Sequence, residues 1–171
     1  MNIRIQIESD NDAIETLTYS AFENHPYHAP GAKPTEHIII NKLRNAGALT
    51  LSLVAEDETG IIGHIAFSPV RIGEAESNWF GLGPVAVKPE RQSEGIGSQL
   101  IKAGMDKIKA HGAEGVALLG SPEYYGRFGF KANSHLVLPG VPAEYFLVHP
   151  LCNSESTVPV GEVTFHLAFN G

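Results

Sequence analysis

Residues 82–100 restrict the possible folds of this chain more than any other stretch. They read Leu-Gly-Pro-Val-Ala-Val-Lys-Pro-Glu-Arg-Gln-Ser-Glu-Gly-Ile-Gly-Ser-Gln-Leu: an apolar strand, a proline stop, a glycine-spaced turn and the start of a helix. The helix stripe runs through Ile96, Leu100, Ile101, Met105 and Ile108, a period of 3.6 residues. The turn places the backbone amides of Gln92, Ser93, Glu94, Gly95, Ile96 and Gly97 at a helix start. First-turn amides have no intrahelical acceptor, and the helix dipole adds partial positive charge. Such an end binds phosphate, and Gly95 and Gly97 remove side chains that would hold a diphosphate off the backbone. Taken alone, the turn is equally a tight strand-to-helix connection. Pro84 adds a second signal. It cannot donate a ladder hydrogen bond, so the strand is expected to bulge or unpair beside the turn, exposing backbone to an extended ligand.

The 171 residues predict one domain with a substantial core. A net charge of −7 argues against nucleic acid or an anionic membrane as main partner, because both need a basic face. Cys152 is the only cysteine, so no internal disulfide is expected, and a reducing cytoplasm fits. Residues 1–7 lack the apolar stretch of a signal peptide, and no apolar run is long enough to span a bilayer.

Residues 2–8 alternate Ile3, Ile5 and Ile7 with polar residues, predicting a half-buried strand. Ser9 and Asp12 resemble a capping box ahead of a helical stripe through Ile14, Leu17, Ala21 and Phe22. Residues 24–34 hold three prolines and a glycine and are expected to form a loop. A second helix follows, with Thr35 as cap, Ile39, Leu43 and Ala46 on one face and Gly47 at its end. Residues 49–56 and 61–70 predict strands joined by a hairpin turn at 57–60, and residues 80–87 the strand entering the glycine turn. The long helix ends near Gly112, and residues 115–119 form a short buried strand. A helical turn is expected at 124–128, and strands at 134–138 and 162–169, separated by a proline-rich loop. A strand–helix–strand unit among hairpins predicts a mixed sheet.

Two motifs at this spacing resemble the GNAT superfamily of acyl-CoA-dependent N-acetyltransferases. Gln92-Ser-Glu-Gly95-Ile-Gly97 fits its Gln/Arg-x-x-Gly-x-Gly/Ala signature, and Tyr125-Gly-Arg-Phe-Gly129-Phe130 is similar to its Phe-Tyr-x-x-x-Gly-Phe segment. The resemblance implies a single-domain α/β fold over residues 1–171, with a mixed, mostly antiparallel sheet splayed between its fourth and fifth strands and helices on both faces. It implies acetyl-CoA as co-substrate, its diphosphate on residues 92–97 and its pantetheine arm paired with the backbone of Val85, Ala86 and Val87. Tyr125 takes the position that protonates the departing thiolate in many members, and an oxyanion donor from the strand, Val85 or a neighbour, is implied. Many relatives carry Lys or Arg where this chain has Glu94; Lys88 and Arg91 are candidates to compensate that charge. The function implied is acetyl transfer to a primary amine of a small molecule, peptide or protein by direct attack. A catalytically silent acyl-CoA-binding sensor or regulatory module, or a pure interaction module, would share much of this sequence.

Other candidates carry two readings each. Tyr125 is a general acid or a packed aromatic, with Tyr124 as core or substrate wall. Glu23, His25, Tyr27 and His28 line an acceptor pocket or decorate a surface loop, and no metal is expected on the His-x-x-His pair. His64 reads as a hydrogen-bonded sheet residue rather than a base, and Glu123 as a base or a solvated helix-start acid. Cys152 has no partner that marks a nucleophile. The C-terminal strand can pair within one chain or across a homodimer.

Overall fold

A computed structural model describes residues 1–23, 33–151 and 158–170. The elements are β1 (Asn2–Ile5), α1 (Asn11–Phe22), α2 (Glu36–Asn45), β2 (Leu51–Asp57), β3 (Gly60–Ile72), β4 (Ala75–Val87), α3 (Ile96–Ala110), β5 (Gly115–Leu119), α4 (Pro122–Tyr125), β6 (Leu136–Val137), β7 (Phe146–Pro150) and β8 (Gly161–Thr164). The strand order is β1-β2-β3-β4-β5-β7, and β8 pairs with β3 and β6. The β4–β5 and β6–β8 pairs are parallel and the others antiparallel.

Alternation along the central strands sends apolar side chains to both faces. Ile65 and Phe67 of β3 join Leu53, Leu100, Ile101 and Ile108 in the main core. Here α3 approaches closely: a Cβ on Gly104 would lie 2.6 Å from Phe67 Cε1, and one on Gly63 2.9 Å from Leu100 Cδ1. Val54 packs with Ile14 of α1 and Ile40 of α2, so these helices cover the opposite face. The mixed α/β sheet with helices on both faces is therefore as expected.

The sheet opens between β4 and β5. Pairing between β4 and β5 runs through Trp79↔Gly115, Phe80↔Val116 and Gly81↔Ala117 and stops there, while β5 stays paired with β7 as far as Leu119↔Phe146. The cause lies in β4. Its register against β3 jumps from Val85↔Ile65 to Leu82↔Phe67, so Gly83 and Pro84 together oppose one residue, Ala66. This is the bulge expected at Pro84, and it redirects β4 away from β5.

Several expected boundaries are corrected. The strands extend into residues 71–79, beyond the expected ranges: β3 and β4 form a longer hairpin turning at Gly73, where φ is +63°. Glu74, Glu76, Ser77 and Asn78 hid it, because they carry no apolar alternation. Residues 146–150 are not part of the expected proline-rich loop but form β7 at the end of the sheet path. Phe146, Leu147 and Val148 are all buried, the short apolar run of a strand covered on both faces. β1 ends at Ile5, and Ile5 and Ile7 are exposed, so their alternation does not face the core. The strand expected over 134–138 is β6 alone, and the one over 162–169 stops at Thr164, followed by a 3-10 turn at Leu167–Phe169.

The first capping box also differs. Asp10, not Ser9 with Asp12, accepts from Ile7 N at 2.8 Å, and its carboxylate meets Arg4 Nη1 at 2.8 Å. Arg4 Nε in turn bonds Glu56 at 2.8 Å, tying β1, β2 and the start of α1 together. Thr35 stands at the N-cap of α2 without a side-chain cap bond. β8 finds its partners within the chain.

Candidate active site

The glycine turn after β4 is built by left-handed backbone. Gly95, at the N-cap of α3, has φ +85°, and Ser93 has φ +67°. No side chain caps the helix, so the first-turn amides are left to solvent or an incoming anion. A Cβ on Gly97 would enter the slot between Val87 Cγ2, 3.7 Å away, and Tyr124 Oη, 3.5 Å away. Gln92 is a brace rather than a free donor: its N–H reaches back to Pro89 O at 3.5 Å and its Nε2 donates to Val87 O at 3.2 Å.

The edge of β4 beyond the bulge is the second part. Lys88 N donates to Ile62 O at 2.9 Å, so alternation turns Ala86's polar groups toward β3 as well. The same alternation leaves the N–H groups of Val85 and Val87 facing the gap left by β5. Of the three residues expected to pair with an extended ligand, Val85 and Val87 present donors to it and Ala86 does not.

Tyr125 forms the third part. It follows β5 through Gly120, whose missing side chain makes room for the ring: a Cβ there would lie 2.7 Å from Tyr125 Cδ2. Its neighbours are Tyr124, edge-on at 4.9 Å between centroids, and Phe130 at 6.2 Å. Burial, followed by proximity to Tyr124, pushes the Tyr125 phenol up to about 12. Tyr124 is raised by burial and partly offset by Arg127, whose guanidinium lies 4.8 Å above its ring. The two tyrosines thus divide the space, Tyr124 against the helix start and Tyr125 against the end of β5.

Charge around the turn is set by a contact between distant segments. Arg91 Nη1 meets Asp57 Oδ2 at 2.7 Å, and Arg91 Nε bonds Glu94 Oε1 at 3.0 Å. Arg91 therefore does compensate Glu94. Lys88 lines a cleft of about 670 Å³ against α1 with Asp12, Thr16, Ser20 and Glu90. No signal in the sequence pointed to Asp57, which read only as a turn residue.

His64 behaves as a sheet residue. It is fully buried, its Nε2 is hydrogen-bonded to Ser52 Oγ at 2.7 Å, and burial holds it down at about 3, so the imidazole is neutral. Glu123 is exposed on the first turn of α4. His25, Tyr27, His28 and Cys152 lie outside the described residues.

A parallel β4–β5 pair that parts at a bulge, with an uncapped helix start after β4 and two tyrosines after β5, matches the acyl-CoA-dependent transferase fold. The chain belongs to the GNAT family of acetyltransferases: the family model described as acetyltransferase (GNAT) domain matches residues 2–132. It is 35% identical over 175 residues to the uncharacterized N-acetyltransferase YhbS of Escherichia coli K12, covering 99% of both chains. A GNAT family acetyltransferase from Brucella melitensis, solved in complex with acetyl-CoA, is 43% identical with a TM-score of 0.84, over 98% of this chain and 97% of that one. Escherichia coli YhbS, solved in complex with CoA, is 34% identical with a TM-score of 0.87, over 99% and 92%. Among the described residues, no helix is long and apolar enough to cross a membrane.

Proposed function

We propose that residues 1–171 form one cytoplasmic N-acetyltransferase domain that moves an acetyl group from acetyl-CoA to a primary amine. The observation that carries this reading is the gap between β4 and β5, with uncapped amides at the head of α3, Tyr124 Oη at the Gly97 slot and the Tyr125 ring packed on Gly120 after β5. The donor set fits a diphosphate thioester: amides of residues 93–97 for the diphosphate, Val85 and Val87 for the amide-bearing arm, and glycine rather than a side chain in the slot at 97. Two relatives at 43% and 34% identity, solved with acetyl-CoA and CoA, support the same assignment.

The neutral amine attacks the thioester carbonyl, forming the N–C bond, and the C–S bond then breaks. A backbone N–H of β4, from Val85 or a neighbour, is assigned as the donor to the developing oxyanion. Tyr125 is assigned as proton donor to the leaving sulfur; the amine's proton passes to solvent, and the Tyr125 phenolate takes a proton back from solvent. With its phenol near 12, Tyr125 stays protonated at neutral pH. Transfer to a thiolate whose acid lies near ~8.5 is uphill by roughly 5 kcal/mol in water. A thiolate buried in the same gap has its own proton affinity raised by desolvation, which narrows that difference.

Release of free thiol from acetyl-CoA, followed against a panel of small amines and amine-bearing peptides, tests the reading. Amine-dependent release supports it. CoA binding with no release toward any amine points instead to an acyl-CoA sensor.

A further inference from the structure

Glu94 places a carboxylate one residue before the N-cap of α3, beside amides that have no side-chain acceptor. A free carboxylate at that position is drawn to the positive end of the helix and competes with any incoming anion. Glu94 is not free. Both its carboxylate oxygens accept from Arg91 Nε, at 3.0 and 3.2 Å. Arg91 is held in its turn by Asp57, whose side chain is only 9% exposed. Asp57 Oδ1 accepts from Thr59 N at 2.8 Å and Thr59 Oγ1 at 2.5 Å, so the β2–β3 hairpin fixes the anchor independently of the turn.

We propose that Arg91 is a positioning residue for the diphosphate: pinned by Asp57, it keeps Glu94 turned away from the amides of α3, so the chain's own carboxylate does not occupy the cradle. This rests on the cofactor site assigned above and deepens it. The consequence is an asymmetry. Glu94's charge matters little to the ligand while Arg91 holds it, and matters considerably once Arg91 is gone.

Calorimetric titration of CoA into wild type, R91A, E94Q and R91A/E94Q at low and high salt reads this directly. R91A weakens CoA binding roughly three- to tenfold at low salt, with the loss shrinking as salt rises. E94Q tightens binding by a larger factor in the R91A background than in the wild type. The KM for acetyl-CoA rises in R91A while kcat holds. R91A binding within about twofold of wild type, or E94Q acting by the same factor in both backgrounds, overturns the proposal. Should R91A fail to fold, R91Q runs the same cycle. A wild type that binds no CoA at all removes the cofactor site itself, whereas binding without the asymmetry removes only the role of Arg91.

Discussion

The ring of Tyr125 lies against Gly120, so closely that a Cβ on the glycine would sit 2.7 Å from Cδ2. Gly120 follows the last residue of β5, and the contact therefore fixes the phenol relative to the strand that forms one wall of the gap. Gly120→Ala is expected to push the ring out of place. Turnover should fall at least tenfold while CoA affinity changes much less, because the proposed cradle at residues 93–97 is untouched. Steady-state kinetics alongside CoA titration check this.

Removing the hydroxyl alone separates chemistry from packing. Tyr125→Phe keeps the ring on Gly120 and should lower kcat by roughly a hundredfold or more, with CoA binding preserved. Unchanged turnover in that variant would end its assignment as proton donor. Since burial raises the phenol to about 12, Tyr125 stays protonated through pH 10. Between pH 7 and 10 the rate should thus rise with the fraction of neutral amine and show no loss from phenol ionisation.

Acid sensitivity should trace to Arg4. The Asp10 and Glu56 carboxyls both accept from its guanidinium and are held below their ordinary values. Groups depressed in this way contribute stability above the unfolded carboxylate range, near ~4, and lose it as pH falls further. Arg4→Ala should lower the melting temperature at pH 7, and the difference from wild type should shrink below pH 4. Thermal melts from pH 3 to 7 decide the point.

Packing of α3 on β3 offers a test remote from the site. Gly104→Ala would drive a methyl to within 2.6 Å of Phe67 Cε1. Both residues are buried, so the strain has no outlet to solvent, and roughly 1–3 kcal/mol of stability should be lost. Denaturant titration measures it directly.

Ligand linkage gives a check on the cradle as a whole. CoA at a hundred times its dissociation constant should add about 2.7 kcal/mol to stability. At that same CoA concentration Gly95→Ala should show a smaller gain, because φ +85° strains any residue with a Cβ and weakens binding at the turn. A wild-type melting temperature indifferent to CoA would contradict the site.

How much of this was legible beforehand depended on sequence distance. The turn at 92–97, the stripe of α3, the bulge at Pro84 and the strand at 115–119 are local patterns, and each appears where its residues placed it. β7 was missed although Phe146, Leu147 and Val148 form an apolar run, because three residues in a row mark burial without marking strand or loop. The Ile3, Ile5, Ile7 alternation misled for the opposite reason: it fits a strand with one buried face, but Ile5, inside β1, and Ile7, beyond it, are both exposed.

The sequence alone determined a strand, a glycine-spaced turn and a helix, and a tyrosine at the spacing of a second motif, because backbone preference and hydrophobic period are properties of neighbours. Only the tertiary structure decided that Asp57, 34 residues away, captures Arg91, and that Tyr124 faces the helix start while Tyr125 faces Gly120. Those contacts follow from strand register and from the divergence of β4 and β5, which no stretch of neighbouring residues encodes.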